Sequence, residues 1–239
     1  MKKLIRKILI FLRIDITKNL EYDRRTKDIM KKLLRNDSNC LDIGGHKGEI
    51  MDDILRFSPN GNHFIFEPIP YLFEGLKKKF TGKCKVMPYA LSNNEGKSSF
   101  QMVVNHPAYS GIKRRNYDDI PKARIEEIEV NLAKLDNIIP KEMRIDFVKI
   151  DVEGGEYDVL LGGLETLKRN KPVIIFECGS GGVDNYGASW RDVYNIITNE
   201  IGLKLYTLKA FQNKSNPLKE EEFKAYFQTN QEYYYIAKA

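Results

Sequence analysis

The stretch Leu41-Asp42-Ile43-Gly44-Gly45-His46-Lys47-Gly48 decides the fold. A short apolar run from Cys40 to Ile43 enters a double-glycine turn, and a helical pattern follows from about Gly48 to Phe57. Far downstream, Lys149-Ile150-Asp151-Val152-Glu153-Gly154-Gly155-Glu156 repeats the layout. The apolar run from Asp146 to Ile150 leads in, and Glu156 to Arg169 carries Leu160, Leu161, Leu164 and Leu167 at helical spacing. Such strand–turn–helix units build an open α/β sheet with ligand-binding turns at the carboxyl ends of its strands.

The first turn has glycines for close backbone approach but opens with a carboxylate. A dinucleotide or P-loop turn holds phosphate on backbone N–H groups and a helix N-terminus, and Asp42 would repel phosphate there. The glycine spacing also fails G-x-G-x-x-G. A carboxylate suits a ligand with an ammonium group and no phosphate, and S-adenosylmethionine (SAM) is such a ligand. Glu67 ends the second apolar run, His63 to Phe66, where doubly wound sheets place an acidic residue to accept bonds from ribose hydroxyls. Asp42, Gly44, Gly45, Gly48, Glu67 and the adjoining Pro68 therefore read as the cofactor side. Ala90, within Ala90-Leu91-Ser92, falls where such folds pass the adenine. Each residue also has a structural reading: Asp42 as a helix N-cap, Glu67 as an exposed strand end before proline.

The remaining pattern fills in one α/β unit. Residues 22–35 read as a polar helix, 70–80 as a helix with proline in its first turn, and 84–87 as a third strand. Residues 97–104 and 126–132 read as two extra strands flanking a polar loop, 105–122. Strands follow at 173–176, 204–208 and 232–237, with a helix over 190–201. This alternation predicts an open, mainly parallel sheet covered by helices on both faces, closed by a tyrosine-rich, antiparallel last strand. We divide the chain into leading amphipathic and polar helices, 1–37, and one domain, 38–239.

Bulk composition excludes several classes. Apolar residues make up 42% of the 239, which rules out a disordered chain. The balance of 39 Lys+Arg against 33 Asp+Glu is a mixed surface that disfavours nucleic acid as the partner. Cys40, Cys84 and Cys178 have no ligand-type spacing, so they read as reduced thiols of a cytoplasmic protein. Nothing is long and uncharged enough to span a bilayer. Met1 to Ile16 places Leu4, Ile5, Ile8, Leu9, Leu12 and Ile16 on one helical face, with Lys2, Lys3, Arg6, Lys7 and Arg13 largely opposite. That pattern fits a helix covering the domain's own core, or peripheral contact with an anionic membrane.

The reacting side gathers at the second turn. Methyl transfer from a sulfonium is an in-line displacement, so alignment dominates, and a hydroxyl acceptor must also lose a proton to a base. Asp151 and Glu153 stand at the mouth of the central strand and Glu177 at the end of the next. Close carboxylates raise one another's pKa or bind a divalent cation. His106, in the polar loop, is a candidate base with an ordinary pKa suited to neutral pH. The same loop holds Lys113-Arg114-Arg115, a solvated face or a clamp for an acidic acceptor. As structural readings, Asp151, Glu153 and Glu156 would cap the following helix, and His106 would have no role.

These residues resemble the FkbM-type family of SAM-dependent methyltransferases from about residue 38 onward. Leu41–Gly48 is similar to the family's D-x-G-[AG]-x-x-G turn, with Gly45 where alanine is commoner. Phe66-Glu67-Pro68 resembles its F-E-P motif and Ala90-Leu91-Ser92 its A-L-S segment. Leu135-Asp136 resembles its T-L-D element, with Lys134 in place of threonine. Phe147–Glu156 with Leu160–Gly163 is similar to the most specific signature, I-K-x-D-V-E-G-x-E followed by V-L-x-G. The resemblance implies a class I methyltransferase fold and O-methylation of sugars, glycans or small secondary metabolites. It also implies that Asp42, Gly44 and Glu67 bind SAM and that Asp151 and Glu153 lie near the methyl group. Two rivals stand beside it. A nucleic-acid amino-methyltransferase generally carries N-P-P-[YF] where Asp151-Val152-Glu153-Gly154 stands. A non-catalytic SAM-binding module would bind without turnover.

Overall fold

The computed structural model describes residues 17–114 and 122–239. The basic segment 1–16 and Arg115 lie outside the described residues. In chain order the strands are β1 (Cys40–Ile43), β2 (Phe64–Phe66), β3 (Lys85–Met87), β4 (Tyr89–Leu91), β5 (Gly96–Val103), β6 (Ile125–Ala133), β7 (Phe147–Ile150), β8 (Val173–Glu177), β9 (Lys204–Thr207) and β10 (Tyr234–Lys238). The helices are α1 (Lys18–Leu33), α2 (Glu49–Phe57), α3 (Pro70–Lys79), α4 (Leu135–Ile138), α5 (Glu156–Gly162), α6 (Leu164–Asn170), α7 (Trp190–Asn195), α8 (Leu208–Gln212) and α9 (Glu220–Thr229).

Among the described residues, seven strands form one sheet in the order β3-β2-β1-β7-β8-β10-β9. Its pairs are parallel except those of β10, which runs antiparallel between β8 and β9. The inner strands β1 and β7 are buried along their whole length, as a sheet covered on both faces requires. Side chains alternate between two cores. Leu41, Ile43, Val148, Ile150 and Phe176 enter one, while Cys40, Ile65, Phe147, Ile175 and Ile236 enter the other. By the same alternation Asp42 and Lys149, register partners on β1 and β7, face the second core. Helix α1 closes that core with Tyr22, Ile29 and Met30, packed beside Met51 and Ile54 of α2. It starts at Thr17, whose hydroxyl accepts the Leu20 N–H.

A separate three-stranded sheet, β4-β6-β5, carries the two extra strands read from the sequence. Its third member, β4, continues from β3 across Pro88, which has no N–H to donate, and pairs in parallel with β6 instead.

Three elements differ from the sequence reading. The helix expected over 156–169 is two helices that divide at Gly163, where the chain packs tightly: a Cβ on Gly162 would lie 2.0 Å from the Ser92 carbonyl oxygen and one on Gly163 2.8 Å from the Leu135 side chain. The strand expected to reach Leu208 stops at Thr207, whose hydroxyl accepts the Ala210 N–H at 3.0 Å and caps α8. Helix α9 gave no clear periodic signal because only Phe223 and Phe227 of its ten residues are buried.

Because Met30 is fully buried among strand residues, Met30→Ala should cost about 2–5 kcal/mol of stability. In urea this appears as a lower midpoint with one transition and an unchanged slope. A separate early transition for α1 would show that the helix is not part of the cooperative core.

Candidate active site

The two glycine turns meet edge to edge. Asp151 N–H donates to the Ile43 carbonyl at 3.0 Å, so the β1–β7 ladder runs on into the turns. Gly44 then passes so close that a Cβ there would lie 1.8 Å from the Asp151 carbonyl oxygen, and its φ is +84°. Only glycine fits both demands. The N–H groups of this turn are spent internally. Those of Gly44 and Gly45 both donate to the Phe66 carbonyl, and that of His46 donates to Glu67 Oε2 at 2.8 Å. A phosphate would find these donors taken. Gly48, at φ +71°, is the N-cap of α2, so Asp42 does not hold that position.

Asp42 is instead 2% exposed, and its Oδ2 has no hydrogen-bond partner. Burial pushes this carboxyl up to about 7 against the pull of the Lys149 ammonium, with the Asp151 charge adding to the rise. Glu67 is likewise buried rather than an exposed strand end. Its Oε1 accepts the Ile69 N–H at 2.9 Å, and burial pushes it up to about 7 against the Ile69 and His46 N–H groups.

Two adjoining cavities use these residues. A narrow slot of about 60 Å³ is lined by Ile43, Gly44, Glu67, Pro68, Ala90 and Phe100 among others. A wider recess of about 600 Å³ takes in Asp42, Gly45, Lys149, Glu177, Tyr22 and Tyr234. Gly44, His46, Ala108, Asp151 and Glu153 border both, so the slot opens where the second turn presents its carboxylates.

At that junction Asp151, Glu153 and Glu177 bring one oxygen each within 4.8 Å of one another. Asp151 Oδ2 accepts from Lys149 Nζ at 3.1 Å and from the Tyr234 hydroxyl at 2.6 Å. Burial alone would raise Asp151, but the Lys149 charge and the bonds from Tyr234, Lys149 and Glu177 hold it below the usual carboxylate range. Glu177 moves the other way: burial and then the charges of Asp151, Glu153 and Glu156 push it well up. The two carboxyls are thus pushed in opposite directions, Asp151 towards the ionised form and Glu177 towards the protonated one. Glu153 stands at φ +59° in the left-handed region, a strained backbone held at the site. Glu156 turns back into its own loop, accepting the Val152 and Gly154 N–H groups at 3.1 and 3.2 Å.

Of the residues chosen from the sequence for the cofactor, Asp42, Gly44, Gly45, Glu67, Pro68 and Ala90 line these cavities and Gly48 does not, while Asp151, Glu153 and Glu177 meet at their junction. His106 does not join them. It is exposed, lines neither cavity, and rests 6.4 Å ring to ring from Tyr109. Its neighbours Pro107, Ala108 and Tyr109 form the wall in its place. Lys113 and Arg114 are also exposed and outside both linings, with Lys113 Nζ 5.8 Å from the Tyr186 ring centroid. Sequence reasoning gave no role to Lys149, Tyr22, Tyr186 or Tyr234. A lysine inside a fully buried strand beside an aspartate was the one available signal for Lys149. Tyr186 fills space that only the Gly154-Gly155 pair leaves, since a Cβ on Gly154 would come within 2.9 Å of its ring.

Strand order, one antiparallel strand and ligand-facing turns at the carboxyl edge define a class I, Rossmann-like methyltransferase fold. Residues 42–202, well over half of the chain, match the model of the methyltransferase FkbM domain, and the chain belongs to that family. It is 25% identical over 163 residues to the 2-O-methyltransferase NoeI of Sinorhizobium fredii, a match covering 61% of this chain and 65% of that relative. The solved FkbM methyltransferase of Methylobacillus flagellatus shares the fold with a TM-score of 0.52 at 14% identity, over 86% of this chain and 45% of that one. Less than two thirds of either relative's length is therefore matched. No described helix is long and apolar enough to cross a membrane.

Two outcomes test this geometry. Gly44→Ala should weaken cofactor binding about 100-fold, since a misplacement on the ångström scale suffices; calorimetric titration with SAM checks it. Asp42, Glu67 and Glu156, all raised to about 7, bind protons in the folded chain that ordinary carboxyls lose near about 4. Folded chain therefore holds more protons across that window, and these groups make stability fall as pH rises through it. The melting temperature of Asp42→Asn should accordingly gain on the wild type between about pH 5 and about pH 8. Parallel curves would mean that Asp42 ionises normally.

Proposed function

We propose that the chain is a SAM-dependent O-methyltransferase acting on a hydroxyl of a sugar, glycan or small secondary metabolite. The observation that carries this reading is the orphaned Asp42 Oδ2, buried at the foot of the recess beside the Gly44 turn. A buried carboxylate oxygen without a hydrogen bond calls for a further donor or cation, and the ammonium of SAM is one. Glu67 still has lone pairs for ribose hydroxyls after accepting its two backbone bonds. The slot between Pro68, Ala90 and Phe100 supports an adenine seat. Bound there, SAM supplies a methyl group on a positively charged sulfur.

Asp151 is the proton acceptor for the attacking hydroxyl in this reading. As the oxygen gains the methyl group its proton becomes strongly acidic, so a carboxylate of lowered pKa is a sufficient base. Glu153 shares the recess and can hold a second acceptor hydroxyl. The recess is lined by six carboxyl side chains (Asp23, Asp42, Glu49, Asp151, Glu153 and Glu177) against two lysines, Lys47 and Lys149. Such a surface favours neutral or cationic acceptors and repels phosphorylated sugars and nucleic acid. The name of the 2-O-methyltransferase relative supports oxygen as the methylated atom. Free thiols at Cys40, Cys84 and Cys178 support a reducing, cytoplasmic setting.

Calorimetry on SAM and its demethylated product tests the cofactor half. Micromolar binding should weaken by about 1–3 kcal/mol in Glu67→Ala, as for lost charge-assisted bonds, and ATP should not bind. A folded wild type that binds neither ligand would overturn the reading. With SAM bound and an acceptor found, Asp151→Asn should lower turnover by about 100-fold or more while leaving SAM affinity within a few-fold.

A further inference from the structure

Tyr234 is the first residue of β10, and antiparallel pairing sets it opposite Glu177, at the carboxyl edge of the sheet. Its hydroxyl donates to Asp151 Oδ2 at 2.6 Å, the same oxygen that accepts from Lys149, and its ring lies 4.6 Å from the Lys149 ammonium. Two donors on one oxygen fix the orientation of a carboxylate that could otherwise turn about its side-chain bonds. The other charged groups around Asp151 are Asp42 on β1, Glu153 in the turn, Glu156 on α5 and Glu177 on β8. All four are acidic; Glu177 also hydrogen-bonds Asp151, and Lys149 is the cation among these groups.

Tyr234 is itself held from α1. The Tyr22 ring stacks on it with centroids 4.9 Å apart and planes 26° from parallel. Tyr22 is locked in turn: its hydroxyl donates to Glu232 Oε2 at 2.7 Å, and Lys18 Nζ lies 3.6 Å from Glu232. Tyr233 adds an edge contact to Tyr22 and donates its hydroxyl to Asn19 Oδ1 at 2.6 Å. The hydroxyl on Asp151, the ring behind it and the helix behind the ring thus form one connected stack. Tyr22 and Tyr234 both lie outside residues 42–202, so this stack is no part of the segment shared with the family model.

We propose that Tyr234 is a positioning residue for the methyl-transfer centre, holding the Asp151 carboxylate towards the acceptor, and that Tyr22 of α1 fixes Tyr234 in place. The inference rests on the reading of Asp151 as the proton acceptor. Tyr234 acts through Asp151, and α1 belongs to the active centre as well as to the core.

The test follows the Asp151 carboxyl directly. Protein labelled with carbon-13 at the aspartate carboxyl is titrated by NMR, with the Asp151 signal assigned by its loss in Asp151→Asn. Tyr234→Phe keeps the ring and removes the hydroxyl, so the Asp151 titration should move up by about one pH unit. Tyr22→Leu, which removes the stack, should move it in the same direction by less, whereas Tyr22→Phe should titrate as the wild type. A wild-type titration in Tyr234→Phe would overturn the proposal, and so would identical curves for the two Tyr22 variants. SAM calorimetry on the same samples separates the two readings. A wild type that binds no SAM defeats the methyltransferase reading, while the NMR titrations still decide whether the stack holds Asp151. SAM binding with an unmoved Asp151 defeats this inference alone.

Discussion

Everything in the cleft depends on how closely the two glycine turns approach. Gly44 lies against the Asp151 carbonyl with no room for a side chain, and the β1–β7 ladder continues past the strand ends to join them. That contact brings a cofactor-facing turn and a carboxylate-bearing turn into one wall. The slot and the recess are the two sides of this seam, which is why the same few residues border both. Pull the turns apart by the width of a methyl group and the slot and the recess no longer share a boundary.

The second constraint is electrostatic. Asp42 and Lys149 are register partners that face into a hydrophobic core, where isolated charges are costly. Lys149 is satisfied by Asp151 and lies over the Tyr234 ring. Asp42 keeps one oxygen without a partner. One strand pair therefore holds a paired lysine and a carboxyl that burial pushes up to about 7, with one of its oxygens left without a hydrogen bond. At the second turn the shifts oppose each other, with Asp151 held down by Lys149 and Tyr234 and Glu177 pushed up by burial and its acidic neighbours.

Much of this was legible in the sequence because strand-end chemistry is local. Asp42 and Gly44 lie in and just after one short apolar run, Glu67 ends a second, and the Asp151–Glu156 signature sits at the mouth of another. The helix break at Gly163 was not legible, since the tight packing there involves the Ser92 backbone and the Leu135 side chain, far away in the chain. His106 looked apt as a base by residue type, yet the fold turns Ala108 and Tyr109 to the recess and leaves the imidazole outside. Tyr22 and Tyr234 were invisible for a related reason. A tyrosine in a leading helix and another in a closing strand carry no motif, and only the antiparallel return of β10 brings them together.

That return also sets an order of assembly. Strand β10 comes after β9 in the chain but is inserted between β9 and β8. During synthesis the nucleotide-facing half, from β1 to β3, can pair while later residues are still inside the ribosome. β9 has no neighbour in the sheet until β10 arrives to bridge it to β8. The Gly44 turn can thus form early, the cleft needs β7 to bring the second turn against it, and the sheet closes only with the late strand. A nascent chain interrupted before Tyr234 would carry the nucleotide-facing turn with its Asp151 carboxylate still untethered by any tyrosine.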